Sequence, residues 1–473
     1  MPLPLPAWYR SPMTQVVLVG ITCFATVGMF SAVSNFGGGG LPDTALVDTA
    51  NGVLYGMFAL TGLVSGGINN LLGPRLTLSI GSLGYSLYIG SLWCFQTQGA
   101  RWFVIFAGGV LGVSAALLWS AQGAITMSYP LEKDKGKAFG VFWAIFQFGS
   151  FIGSVIALAI NIRSGKLSDV STATYLAFII IMFIGTASTM LILPPGAIIR
   201  ADGTLVKVQA SSTLREELNN FIKVLKDKRI ILLIPMFFAS NYFYAYQGAL
   251  NVYYFDGSTR ALNGTLEGAG AMIGALIIGF FVLDGLPFRR RTRGLVGLAF
   301  VSTINIVVWS CALAWQVKFD RTPRTKLHYT DSRYHARGAL YFFVFFDGAC
   351  YQALAYWIMG AISNDPFTLA RFAGFYKAIQ SVGSAGSFGM DATSTPFLNE
   401  LLASWCLMLA SFPLAGIVIW GIKDTSYTEE KTVYASGVAA QSGAARSTEN
   451  DNMSDVKEKE KGHQEKPTSV ICR

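Results

Sequence analysis

Phe139 to Ser154 reads FGVFWAIFQFGSFIGS, and a degenerate copy, FAGFYKAIQSVGSAGS, returns 233 positions later from Phe372 to Ser387. Five of the sixteen positions are identical without a gap: Phe139, Phe142, Gln147, Gly153 and Ser154 recur as Phe372, Phe375, Gln380, Gly386 and Ser387, and Trp143 recurs as Tyr376. Each copy follows a short charged loop, is apolar enough for lipid, and ends in small residues that let two helix backbones approach closely. They read as the fifth and eleventh of a series of membrane spans. A correspondence at an interval of six spans predicts an all-α membrane protein of twelve transmembrane helices in two pseudo-symmetric six-helix bundles. A weaker echo supports it. Trp119 to Ile125, WSAQGAI, before Pro130, matches Tyr356 to Ile362, YWIMGAI, before Pro366, at nearly the same offset.

Composition agrees. Charged residues are 13% of the 473 and hydrophobic residues 52%, whereas a soluble domain carries roughly 25% charge. The chain is therefore expected to have the lipid bilayer as its solvent. Its net charge of +9 reflects basic loops held on one side, not nucleic-acid binding. Clusters at Lys133, Lys135, Lys137 and at Arg289 to Arg291 with Arg293 fall in loops of one side, which places both termini in the cytoplasm. The cysteines, Cys23, Cys94, Cys311, Cys350, Cys406 and Cys472, have no metal or disulfide spacing and read as small hydrophobes. Arg10 precedes an apolar run without a small-residue cleavage site, so this run reads as a first span.

At about twenty residues per span, helices are expected near 13–33, 51–71, 76–96, 102–128, 138–161, 172–194, 229–254, 262–284, 294–316, 338–361, 368–390 and 398–422. This divides the chain into an N-terminal bundle (1–194), a cytoplasmic linker (195–228), a C-terminal bundle (229–422) and a disordered cytoplasmic tail (423–473). In the linker, Thr213 followed by Glu216 has capping-box spacing for a short amphipathic helix.

The loop after the second span, Gly66-Gly-Ile-Asn-Asn70-Leu-Leu-Gly73-Pro-Arg75, resembles the loop signature of the major facilitator superfamily, Gly-x-x-x-Asp-Arg-x-Gly-Arg-Arg. Gly66, Gly73 and Arg75 are in place, Asn70 stands where the acid belongs, and Leu71 and Pro74 where bases belong. The corresponding later loop keeps Asp284 with Arg289 to Arg291. With Gly28-Met-Phe-Ser-Ala-Val-Ser-Asn35-Phe and Gly37 to Gly40, Lys135-Gly-Lys-Ala-Phe-Gly140 and Gly374-Phe-Tyr-Lys-Ala-Ile-Gln380, the chain resembles the fungal branch of the uncoordinated-93 family, a divergent part of that superfamily, over roughly residues 13–422. The resemblance implies a twelve-helix facilitator fold. It implies one of two functions: transport of a solute, or regulation of a channel or receptor.

Candidate working residues are polar groups that ought not to be in lipid. Lys377 is about 13 Å into the eleventh span, at a cost of about 2.5 to 3.5 kcal/mol. Asp347, at matching depth in the tenth span, is the expected partner, either as a gating pair or as a fixed buried ion pair. Gln147 and Gln380 occupy equivalent positions in the two repeats, and each either bonds to a neighbouring helix or faces a cavity. Asn241, Gln247 and Asn251 crowd the seventh span among tyrosines, where they line a pocket or serve as helix glue. Asn35 and the glycines after it form either a flexible gate or a helix terminus. Asn263-Gly-Thr265 is a glycosylation sequon on the expected outer side. His328, His335 and His463 do not make a metal motif, no Walker or G-x-S-x-G sequence occurs, and neither cofactor nor enzyme activity is expected. The reading is a secondary transporter moving a small solute by alternating access; the alternative is a non-transporting partner of another membrane protein.

Overall fold

The computed structural model describes residues 5–35, 44–164, 172–206, 213–322 and 325–425. The expected tail from residue 426 onward, the glycines Gly37 to Gly40 and the side chain of Asn35 lie outside the described residues. The described chain is helical, with only isolated bridges such as Ile199 to Leu205. Its long helices are α1 (Pro12–Ser34), α2 (Thr44–Leu72), α3 (Pro74–Gln98), α4 (Arg101–Ser128), α5 (Lys135–Ser164) and α6 (Thr172–Ser188). A short α7 (Leu214–Lys226) follows. Then come α8 (Lys228–Tyr254, interrupted at 240–242), α9 (Gly257–Leu283), α10 (Arg290–Gln316), α11 (His335–Ile362), α12 (Pro366–Ala392) and α13 (Phe397–Trp420).

Among the described residues, eleven helices are long and apolar enough to cross a membrane. The long helix outside that set is α12, as long as α10 but burdened by Arg371, Lys377 and Asp391. Local chemistry sets the ends. Asp365 and Asp256 accept hydrogen bonds from Thr368 N and Thr259 N at 2.9 and 2.8 Å, satisfying orphan donors of α12 and α9. Gly73 has φ +80, which a side chain would resist, and it hands over to Pro74 at the start of α3. Thr213 and Glu216 form the reciprocal capping box at the start of α7. Large apolar side chains such as Leu60, Ile184, Phe281 and Ile417 are exposed on the outside. That inversion is stable only where the surroundings are hydrocarbon.

The helices pack in a pattern that repeats. α1 contacts α5 and α6, α2 contacts α4, and α3 contacts α4 and α6; six spans later α8 contacts α12 and α13, α9 contacts α11, and α10 contacts α11 and α13. Two further seams join these groups, α2 against α12 and α5 against α9. Both are backbone-close: a Cβ on Gly66 would sit 2.5 Å from the Ala370 carbonyl oxygen, and one on Gly140 would sit 2.8 Å from that of Ala275. The small residues closing each sequence repeat act as expected, with Gly149 against the backbone of Phe24 and Gly383 against that of Phe238.

Candidate functional site

Between the two groups lies a cavity of about 810 Å³, reaching from Lys377 in α12 to Arg321, Lys326 and Asp391 at one end of the molecule. At 1.5 Å per residue, Lys377 is about 16 Å along α12 from Pro366, half-way through a core about 30 Å thick. Its ammonium sits 4.1 Å from the ring centroid of Trp119 and 5.1 Å from that of Tyr376, contacts worth about 2 kcal/mol when desolvated. It donates one hydrogen bond, to Gln380 Oε1 at 2.8 Å. Gln380 in turn donates to Ser240, Gln352 and the Tyr376 hydroxyl at 2.7, 3.2 and 3.0 Å. Two of the three ammonium donors therefore have no protein acceptor among the described residues, and the side chain lines the cavity. Trp119 is itself braced by Trp143 and Phe146, at centroid distances of 6.0 and 5.5 Å. The deep end of the cavity is thus an aromatic cradle with one cation in it.

Gln147 faces this cavity, as do Asn241 and Asn251. Gln380, its repeat partner, is instead committed to positioning Lys377. Asp347 is not the partner of Lys377 that matching depth predicts. It accepts from Asn305 Nδ2 at 2.7 Å and from Trp309 Nε1 at 3.1 Å, both on α10, does not line the cavity, and forms no ion pair with Lys377. Gln247 is buried away from the cavity as well. Asn263 is fully buried; its amide donates to Asn251 Oδ1 at 2.8 Å and its oxygen accepts from Tyr334. A glycan on that amide would displace its bond to Asn251 and has no room at a fully buried position, so this packing is that of an unmodified Asn263.

Glu267 went unnoticed in sequence. It lies about 15 Å along α9 from Gly257, lines the same cavity, and has no hydrogen-bond or ion-pair partner among the described residues. The signal was available, since it is an acidic residue inside an apolar span. Gln352 carried the same signal as Gln147, a large amide inside an apolar span, whereas Trp119, an ordinary core residue by type, carried none.

The opposite end is shut by polar contacts between the same two groups. Asp284, just past α9, accepts from Lys137 N at the start of α5 at 2.8 Å and pairs with Arg293 at 3.8 Å. Burial pushes its carboxyl up to about 6, against the lowering effect of those donors. Lys135 donates to the Gly360 carbonyl and to Asn364 Oδ1, both at 2.7 Å, and Arg290 pairs with Glu132 at 3.1 Å. At the other seam Asn70 donates to Glu217 Oε2 and to the Phe367 carbonyl, at 3.1 and 3.2 Å. Glu217 also receives a bidentate pair from Arg371, at 2.8 and 2.9 Å. Arg75 donates to the Ile192 carbonyl at 2.7 Å. Asn70 thus keeps a hydrogen bond in the acid's position, and the charge comes from Glu217 on α7.

The fold that holds this cavity is shared with known proteins. Residues 49–419 match the family model described as ion channel regulatory protein UNC-93. The chain belongs to the UNC-93 family. A UNC93-like protein of Schizosaccharomyces pombe is 38% identical over 419 residues, covering 87% of this chain and 83% of that protein. UNC93-like protein 1 of Arabidopsis thaliana is 36% identical over 417 residues, covering 87% and 91%. Among solved structures, the Escherichia coli fucose:proton symporter FucP superposes with a TM-score of 0.61 at 12% identity, covering 86% of this chain and 98% of that one. The human organic anion transporter MFSD10 also gives 0.61, at 11% identity, covering 88% and 100%. At such identities the likeness is one of fold, so this UNC-93 family chain is a multi-pass integral membrane protein with the major facilitator fold.

Proposed function

We propose that this chain is a secondary carrier that moves a small solute by alternating access, with both termini cytoplasmic and twelve spans arranged as two six-helix bundles. The recurring pairs of packed helices, α1 with α5 and α8 with α12 among them, support the two bundles, and α12 makes the twelfth span because its charges face protein and cavity. The observation that carries the transport reading is Lys377. A protein that needed only a packed core would not keep a cation with two unmatched donors at mid-membrane beside a cavity of about 810 Å³. The solute class follows from that surface: a flat or apolar body for the aromatic walls, with an oxyanion or carbonyl to meet the ammonium. Glu267 adds a second ionisable group facing the same space.

Thermal-shift screening of the purified chain against small aromatic and aliphatic acids, followed by uptake of a stabilising compound into proteoliposomes, tests this. Lys377→Ala should lose the shift and cut uptake at least ten-fold, whereas Asp347→Asn, off the cavity, should leave uptake within two-fold. Equal losses from both substitutions would remove Lys377 from its role. The family model's description favours a second reading, a regulatory partner of an ion channel; absence of any stabilising compound, with a second membrane protein co-purifying, would support it.

A further inference from the structure

Three different surroundings meet α7. Glu217, Phe221 and Val224 fall within about 60° of one another around the helix and form the face against the bundle. Glu217 and Val224 are buried, and the Phe221 ring packs on Phe375 at 6.3 Å. About 90° around from that face, Leu214, Leu218, Ile222 and Leu225 make a stripe between 41% and 68% exposed. The remaining side carries Arg215, Asn219, Lys223 and Lys226. Protein on one flank, an apolar stripe at right angles and a basic side beyond it is the geometry of a helix lying in the membrane boundary. The continuity of the chain agrees. α7 passes through Asp227 directly into α8, whose exposed Ile231 begins the lipid-facing surface, and the flanking lysines can reach anionic headgroups while their stems stay on apolar surface.

The bundle-facing side carries a carboxylate that both halves use. Asn70 of α2 and Arg371 of α12 bond to Glu217 from opposite sides of the seam. We propose that α7 is a membrane-seated latch: its apolar stripe rests in the lipid boundary, and its Glu217 ties α2 to α12 to hold this end of the cavity shut. For this end to open, Arg371 must leave Glu217 or draw α7 out of its seat. Because one residue, Glu217, supplies the carboxylate shared by Asn70 and Arg371, removing its charge loosens both contacts at once. The latch does not depend on solute transport; a protein that only changes shape for a partner would use it in the same way.

The test uses the full chain in phosphatidylcholine vesicles with and without phosphatidylserine, on a cysteine-free background. A spin label at Ile222→Cys should be accessible to oxygen and shielded from a water-soluble nickel relaxant, more strongly with phosphatidylserine; the reverse would unseat the helix. Labels at Leu71→Cys and Arg289→Cys report the width of the closed end by pulsed dipolar spectroscopy. Glu217→Gln, nearly isosteric, should raise the long-distance population at least five-fold, and the exchange Glu217→Arg with Arg371→Glu should restore the short distance. Leu218→Gln with Ile222→Gln should shift the same population in vesicles. An unchanged distance distribution in Glu217→Gln would overturn the latch, and no effect of the apolar-stripe pair would overturn its coupling to lipid.

Discussion

The two seams that close one end of this molecule are built from equivalent parts in different ways. Where α9 meets α5, the loop acid Asp284 is in place and accepts directly from Lys137 N at the helix start. Where α2 meets α12, the equivalent position holds Asn70, and the acid arrives from outside the bundle on α7. Asp284 carries its charge with a distant partner, Arg293 at 3.8 Å, and one oxygen without a hydrogen bond. Glu217 is held by two short bonds from Arg371. One seam therefore draws its carboxylate from the end of one of its own helices; the other, beside the direct bond from Asn70 to the Phe367 carbonyl, draws it from a third element. A seam of the second kind can be released without disturbing either bundle's packing, which is where control of opening is best placed.

Substitutions can break that contrast. The largest effect is expected from Arg371→Ala, which leaves Glu217 buried without its cation and should cost about 3 to 5 kcal/mol. Arg293→Ala, at a longer 3.8 Å contact to a carboxyl that can take up a proton instead, should cost less. Thermal unfolding of the two variants in detergent measures the difference, and similar losses would mean the seams are equally dependent on their ion pairs.

Asp284 makes a pH prediction with a defined sign. Its folded carboxyl titrates near 6, above the ordinary 3.8, because burial disfavours the charge. Between those values the folded chain holds a proton that the unfolded chain has released, so this group's contribution falls as pH rises through about 4 to 6, by up to roughly 3 kcal/mol. Asp284→Asn lacks that slope. The variant should gain on the wild type across this window and keep the gain above it, as read by melting temperature against pH; a constant gap would refute the shift. Asn70→Asp should have a smaller effect than Arg371→Ala. It restores the acid of the superfamily signature but replaces a donor to Glu217 and to the Phe367 carbonyl with a third acceptor, costing about 1 to 3 kcal/mol. An increase in melting temperature instead would show that Arg371 can serve both carboxylates.

Much of this was legible in one dimension. Low charge and long apolar runs demand lipid, because roughly twenty helical residues are what a bilayer accommodates. The 233-residue repeat anticipated which helices are equivalent, and Thr213 with Glu216 marked the start of α7. Lys377 could be placed at mid-depth by counting, since rise per residue is fixed by the backbone. Counting gives depth and leaves azimuth open. Asp347 and Lys377 lie at similar depths, yet Asp347 turns to Asn305 and Trp309 while Lys377 turns to Trp119 and the cavity. Which way a side chain points is set by the packing of neighbouring helices, and no spacing rule records it.

The same distinction separates Asn70 from its consequence. Sequence alone determined that a charge was missing from the loop signature, because residue type is a local fact. Only the tertiary structure decided that Glu217, on a helix 147 positions away, supplies it, and that Asn263, a sequon by pattern, is buried in a hydrogen-bond pair with Asn251. Local chemistry and periodicity dictate what each segment can be and which solvent it requires. Partners and burial depend on how whole helices rotate and cross, which is resolved only when all of them pack together.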